Sequence, residues 1–232
     1  MNRFAARAHV FVTDLDAPVL DSGDQHHLER VLRLRAGDEV TLCDGRGGWR
    51  SGRFGSAVEP IGDAVHEPAP RPALTVGFAL VKGERPELVV QKLTELGIDR
   101  IVPFAAARSV VQWSGDKAAR AHARLASVAR EAAMQSRRTW LPVVEPVAGF
   151  ADLAGDGVAL CERDGPPPTL ATPTVLIGPE GGWAPEELAV GLPTVGLGPT
   201  VLRAETAAIA ASALLTGLRA RIVVAKRNRH AQ

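Results

Sequence analysis

The sequence predicts a two-domain protein, with a small β-rich domain over residues 1–72 followed by an α/β domain over residues 73–232. Three observations predict it. Short strand-type runs separated by turn residues fill the first seventy positions. The stretch Glu67-Pro68-Ala69-Pro70-Arg71-Pro72 makes a stiff linker, because proline fixes φ and restricts the residue before it. From Leu74 onward strand and helix patterns alternate, which implies a mostly parallel sheet with helices on both faces.

In the first domain the strand candidates are Val10–Val12, Glu39–Cys43 and Trp49–Phe54. A helical turn or two is expected over Gln25–Leu34, where Leu28, Val31, Leu32 and Leu34 recur near helical spacing. Asp44-Gly45-Arg46-Gly47-Gly48 reads as a hairpin turn; no helix follows it, as a phosphate loop would need. In the second domain Leu74–Leu80 is a buried-type strand, and Arg85–Leu96 an amphipathic helix stopped by Gly97. Ile98–Phe104 is the next strand, and Lys117–Ser136 a long helix with Ala121, Leu125, Val128 and Ala132 on one face. Strands are expected at Gly157–Cys161, Thr174–Ile177 and Val195–Leu197. Pro185–Leu188 opens a short helix with Glu186 and Glu187 in its first turn. Thr206–Arg219 is an alanine-rich helix that Thr206 can cap.

The chain's 232 residues are 46% hydrophobic and 23% charged, a globular balance that excludes disordered and fibrous classes. Two cysteines, Cys43 and Cys161, with no Cys-x-x-Cys pair exclude a disulfide scaffold and a zinc ribbon. The six histidines form no ligand set, so no metal is expected. No apolar run approaches the roughly eighteen residues of a membrane span, and Met1–Ala5 lacks a signal peptide's apolar core. A cytoplasmic protein is expected. The net charge of +1 hides an uneven distribution: −2 over residues 1–72, +4 over 73–150 and −1 over 151–232. Arg219, Arg221, Lys226, Arg227 and Arg229 add a basic tail. Such clusters suit phosphate as well as solvent.

Val175-Leu176-Ile177-Gly178-Pro179-Glu180-Gly181-Gly182-Trp183 carries the strongest chemical signal. A buried strand runs straight into a glycine-rich loop, at the strand end where open α/β sheets bind ligands. Neither Walker nor Gly-x-Gly-x-x-Gly spacing is present, and Glu180 would repel phosphates. The loop therefore suits a ligand without a polyphosphate, and a cationic one is compatible. A second loop, Gly196-Leu197-Gly198-Pro199-Thr200-Val201-Leu202-Arg203-Ala204-Glu205-Thr206-Ala207, again sets close-approach glycines and charges ahead of a helix. Two such loops at the ends of late strands suit one shared pocket.

Ile177–Gly182 and Leu202–Ala207 resemble the signature loops of the bacterial 16S rRNA (uracil-N3)-methyltransferase family of the SPOUT class. His27–Arg33 followed by Asp44-Gly45, then Gln91–Gly97, then Glu131–Arg138 with Leu141-Pro142, also resemble that family, in the right order. The resemblance implies a PUA-like β-barrel that binds RNA over residues 1–72. It implies a SPOUT methyltransferase domain with a deep trefoil knot over residues 73–232. S-adenosyl-L-methionine is then expected between the two loops, held by Leu176, Ile177, Gly178, Pro179, Glu180, Gly181, Gly182, Leu197, Gly198, Val201, Leu202, Thr206 and Ala207. The implied substrate is 16S rRNA or the small ribosomal subunit, and the implied assembly a homodimer through the knotted domain. One departure stands out: family members frequently carry a basic residue where this chain has Thr200.

Methylating uracil N3 requires the N3 proton to leave, so a general base or a cation stabilising negative charge on the uracil oxygens is needed. Arg203 suits the cation's role, since its guanidinium stays charged. Glu205 suits a base or an orienter, and equally a helix N-terminal acid. The target base must be exposed or flipped. Arg30, Arg33 and Arg35 in the first domain, and Arg108, Arg137 and Arg138 in the second, are candidate RNA contacts, with surface ion pairs as their ordinary alternative. Trp113, Trp140 and Trp183 suit base stacking, or partial core burial. Two other readings stay open: another SPOUT enzyme acting on tRNA or a ribose 2′-hydroxyl, and a non-catalytic RNA-binding assembly factor. The first domain argues against the former, and the intact loops with Arg203 against the latter.

Overall fold

A computed structural model describes residues 3–80 and 85–224, so Lys226, Arg227 and Arg229 of the basic tail lie outside the described residues. By its contacts the chain divides into one unit of Met1–Pro70 with Arg130–Leu141, and another of Arg71–Ala129 with Pro142–Gln232. Arg130–Leu141 thus belongs to the first unit, which a single cut after residue 72 does not provide for. Specific side chains explain it. Arg130 donates to both carboxylate oxygens of the buried Asp24 and to the Phe11 carbonyl. Arg137 donates to the carbonyls of Arg3 and Ala6 at 3.1 and 2.7 Å. Ala133, Met134 and Leu141 pack on Phe11, Cys43 and Trp49.

The strands of the first unit, β1 (Ala8–Phe11), β2 (Glu39–Cys43), β3 (Gly48–Arg53) and β4 (Glu59–His66), form one sheet in that order. β1 and β2 run parallel; the other pairs are antiparallel. Val10, Leu28, Val40, Leu42 and Phe54 make its core. The turn between β2 and β3 is the expected hairpin: the Asp44 carboxylate accepts from the amides of Arg46 and Gly48 at 2.7 and 2.9 Å. The segment expected as one helix is broken. α1 (Ser22–His26) is capped by the Asp21 carboxylate, which accepts from the Asp24 amide at 2.7 Å. It passes into a π-helical turn at His27–Val31. Leu28 and Leu34 go inward, but Val31 and Leu32 face solvent, because the wider turn rotates them away from the core.

The second unit holds β5 (Thr75–Ala79), α2 (Arg85–Leu96), β6 (Arg100–Ala105), most of α3 (Gly115–Gln135), β7 (Val143–Val144), β8 (Ala148–Gly149), β9 (Val158–Cys161), β10 (Thr174–Ile177), α4 (Pro185–Leu188), β11 (Thr194–Val195) and α5 (Ala204–Arg219). Every strand pair is parallel, in the order β11-β9-β10-β5-β6-β7, with β8 also on β6. Strand alternation splits the apolar side chains between two faces. Val76, Phe78, Ile101, Ala159, Val175 and Ile177 pack with Val90 and Leu93 of α2, Leu125 of α3, and Ala208, Ala211 and Leu215 of α5. Phe104, Leu160 and Leu176 pack instead with Trp183, with Phe150 of a 3-10 turn (Phe150–Asp152), and with Leu153 and Leu192. The long helices therefore cover one face rather than both, because Trp183 and its neighbours fill the other.

Two ends differ from the sequence expectation. α5 begins at Ala204 with Arg203 at the capping position, so Thr206 sits inside the first turn and does not cap. Arg219 is no free basic-tail residue: it ion-pairs with Asp99 and donates to the carbonyls of Gly97 and Pro72. Because β9, β10 and β11 are parallel neighbours, the loops leaving their carboxyl ends emerge together.

Candidate active site

Those three loops wall a cleft of about 230 Å³. The loop after β10 contributes Ile177, Gly178, Pro179, Glu180, Gly182 and Trp183. The loop after β11 and the start of α5 contribute Leu197, Gly198, Thr200, Val201, Leu202, Ala204 and Ala207. Ten of the thirteen residues expected to hold the cofactor thus share one concavity. Three do not line it. Leu176 is fully buried on the opposite sheet face, where its side chain fills the space above Gly77. Gly181 lies against Arg108, and Thr206 points to solvent.

The third wall, Cys161, Glu162 and Arg163 after β9, was not foreseen. Its only sequence signal was a charged pair following a buried strand. It is pinned to the second loop by backbone: the Glu162 amide donates to the Val195 carbonyl at 2.9 Å, and the Gly196 amide to the Pro166 carbonyl at 2.8 Å. A Cβ on Gly196 would collide with the Gly165 carbonyl, and a Cβ on Gly165 would stand 2.5 Å from the Val195 carbonyl carbon. Two glycines face to face are what let the walls meet.

The first loop is held by side chains. The Trp183 ring stacks on Phe104 at 6.0 Å, and its indole N–H donates to the Cys161 carbonyl at 3.1 Å. A Cβ on Gly178 would meet that indole at 2.9 Å, so glycine here admits the ring. Trp183 therefore serves the core and the cleft floor rather than a free stacking surface. Glu187, expected as a dipole acid, is buried and accepts from the amides of Ala184 and Ala107 at 2.8 and 2.9 Å. Arg108 donates to the Gly181 carbonyl at 3.1 Å.

Charge in the cleft is mixed, with Glu162, Glu180 and Arg163 in its lining. The Glu180 carboxylate already faces a cation, Arg85, at 3.6 Å, so its charge is not reserved for a ligand. Glu205 lies 3.7 Å from the same guanidinium. Its other oxygen is buried without a hydrogen-bond partner among the described residues. Burial pushes the Cys161 thiol up to about 11, with Glu162 adding to the rise, which makes it a poor nucleophile. Arg203 is exposed beside the cleft, between the lining residues Leu202 and Ala204.

The candidate RNA contacts separate by environment. Arg30, Arg33 and Arg35 are all exposed around the π-helical turn. Arg137 is half-buried and committed to backbone carbonyls, and Arg138 is also half-buried. Trp140 donates to the Glu67 carbonyl at 3.0 Å, and Trp113 packs against the sheet core. Lys92 pairs with Glu95 at 2.8 Å as their spacing implies. Among the described residues no helix is long and apolar enough to cross a membrane, and no group of three or more His, Cys, Asp or Glu is placed to hold a metal ion.

Comparison with known proteins agrees with this geometry. The family described as RNA methyltransferase domain matches residues 67–216, and the RNA methyltransferase PUA domain matches residues 20–57. Ribosomal RNA small subunit methyltransferase E of Mycobacterium tuberculosis is 34% identical over 219 residues, covering 83% of each chain. The protein of the same name from Synechocystis is 33% identical, over 86% of this chain and 72% of that one. The crystal structure of ribosomal RNA small subunit methyltransferase E from Neisseria gonorrhoeae bound to S-adenosyl methionine superposes with a TM-score of 0.76 at 26% identity, covering 91% of this chain and 97% of that one. Matched in both its domains and along most of its length, the chain belongs to the RNA methyltransferase family that contains the small-subunit rRNA methyltransferases E, with a PUA domain ahead of a SPOUT-type α/β domain.

Proposed function

We propose that this protein methylates N3 of a specific uridine in 16S rRNA, using S-adenosyl-L-methionine, and acts as a homodimer through a knotted second domain. The observation that carries the reading is the convergence of both glycine loops on one cleft. The lining fits the cofactor's chemistry: Ile177, Leu197 and Leu202 offer apolar surface to a purine, and Glu162 and Glu180 suit cationic groups. S-adenosylmethionine supplies an electrophilic methyl group on its sulfonium. Arg203, exposed beside the cleft, donates to a uracil oxygen and stabilises the negative charge that develops as the N3 proton leaves. Glu205 holds or accepts that proton, or orients the base. The two loops align the reacting atoms across the cleft.

Arg30, Arg33 and Arg35 are the RNA contacts best supported in the first unit, since they are exposed and stand beside the outward-facing Val31 and Leu32. Arg108 joins them at the first loop, whereas Arg137 is spent on holding its own unit together. The dimer is supported by Val201, which lines the cleft yet is 81% exposed, as a residue covered by a second copy would be. An rRNA substrate supports a cytoplasmic location.

Methyl transfer from labelled cofactor to unmodified small-subunit rRNA and to assembled subunits, followed by mapping of the product, tests the reading. Label at uracil N3 is expected. Cofactor binding without transfer to either substrate overturns it, and label on a ribose hydroxyl or on tRNA transfers the protein to another SPOUT activity.

A further inference from the structure

Arg85 opens α2, away from both glycine loops in sequence, yet its guanidinium stands between a carboxylate from each of them. Its Nη1 lies 3.6 Å from Glu180 Oε1, and its Nε lies 3.7 Å from Glu205 Oε1. Glu180 belongs to the loop after β10 and lines the cleft; Glu205 sits in the first turn of α5, between the lining residues Ala204 and Ala207. The two carboxylates differ in what else supports them. Glu180 is 54% exposed and water can serve it, whereas the Glu205 side chain is 14% exposed with its Oε2 buried and unpartnered among the described residues. Among the described residues Arg85 is the cation that faces it, and a buried carboxylate depends on its counter-charge. The planar guanidinium presents separate N–H edges, so one arginine can face two carboxylates where an ammonium serves as a single point charge.

We propose that Arg85 is a positioning residue of methyl transfer, a clasp that holds Glu180 and Glu205 in register and so fixes the spacing of the two ligand loops. This rests on the transfer activity proposed above. Without the clasp, two like charges on neighbouring loops lose their shared counter-charge. The open end of the second loop, where Gly198 has nothing within 4 Å of its missing side chain, is then free to drift against the fixed first loop, and misalignment of about 1 Å is enough to slow transfer heavily. The cleft's apolar walls and the backbone pinning of Gly196 are untouched, so cofactor binding survives better than the reaction does.

A double-mutant cycle on the full-length protein tests the clasp. Single-turnover transfer at saturating cofactor, cofactor affinity by calorimetry and thermal midpoint are read for Arg85→Gln, Arg85→Lys, Glu205→Gln and the double variant Arg85→Gln with Glu205→Gln. Arg85→Gln is expected to slow transfer roughly tenfold while cofactor affinity changes less than about threefold. Arg85→Lys should recover part of the rate, and the double variant should be no slower than Glu205→Gln alone. Arg85→Met replaces Arg85→Gln in the cycle if the latter does not fold. An unchanged rate in Arg85→Gln overturns the proposal. So do independent, multiplying effects of the two substitutions, or a rate loss matched by an equal loss of thermal stability. Absence of transfer by the unsubstituted protein overturns the activity itself, a result distinct from all of these.

Discussion

The two glycine loops of the cleft look alike in sequence and are built in opposite ways. The loop after β10 is anchored by side chains: Trp183 fills the space over Gly178 and bonds to Cys161, and Arg108 holds Gly181. The loop after β11 is anchored by backbone at one end, where Gly196 meets Gly165, and is open at the other. Gly198 has φ of +143° with nothing near its missing side chain, and Val201 stands in solvent. The difference assigns them different work. A loop wedged by an indole makes a fixed wall, while a loop pinned at its start and open at its end can present Arg203 to a large substrate and Val201 to a second copy.

Substitutions that break one anchor at a time sharpen this contrast. Trp183→Ala carries the largest expected effect, a loss of about 3–5 kcal/mol in unfolding free energy, because it empties the core between Phe104 and Phe150. Chemical denaturation measures it, and a loss below about 1 kcal/mol would mean that the first loop does not lean on the indole. Gly196→Ala comes next. Its Cβ meets backbone that cannot rotate aside, so roughly 1–3 kcal/mol of overpacking strain is expected together with weakened cofactor binding. Val201→Ser should change stability by less than about 0.5 kcal/mol, and on the proposed homodimer it should shift the sedimentation profile from dimer toward monomer. A buried-residue cost there would contradict the open-ended second loop. Arg203→Ala should abolish transfer yet leave cofactor affinity largely intact; a collapse of binding would place Arg203 in the cofactor wall instead.

A fifth test concerns the first unit alone. His9 is buried, its Nε2 bonds the Arg138 carbonyl at 2.9 Å, and burial lowers its pKa to about 4 despite that bond. The folded state therefore keeps the ring neutral where the unfolded chain, near 6.5, binds a proton. Stability that His9 permits is fully present above pH 6.5 and is lost as pH falls toward 4, by up to about 3 kcal/mol. Denaturation of wild type and His9→Gln at pH 7 and pH 4.5 should show a smaller pH dependence in the variant.

Five strands of the second sheet, β5, β6, β9, β10 and β11, were legible as short apolar runs, and so were both ligand loops, whereas the two-residue β7 and β8 carry too short a pattern to be read. Less legible was whatever depended on distant partners. β4 escaped because it carries little apolar patterning: Asp63, Ala64, Val65 and His66 are all exposed. Val31 and Leu32 fit a helical stripe in sequence, and a π-helical turn turned them outward. Arg130–Leu141 reads as the end of a helix of the second domain, and only its bonds to Asp24, Phe11 and Ala6 tie it to the first unit. Glu162 and Arg163 enter the cleft through pairing of β9 with β10 and β11, and Arg85 faces two carboxylates through the fold alone. Local pattern reveals loops that bind; it does not reveal which remote side chains complete them.

The claim that the two loops hold the cofactor between them is tested most directly by calorimetric titration of S-adenosylmethionine into the wild type, Gly198→Val and Gly62→Val. Gly198 lines the cleft and Gly62 lies in β4; both have positive φ, +143° and +66°, and open space around the missing side chain, and the thermal midpoint of each variant separates backbone strain, larger at Gly198, from loss of the ligand's space. The expected result is tight binding by the wild type and Gly62→Val, with at least about a tenfold loss in Gly198→Val. Equal affinity in all three proteins would contradict it and place the cofactor outside this cleft.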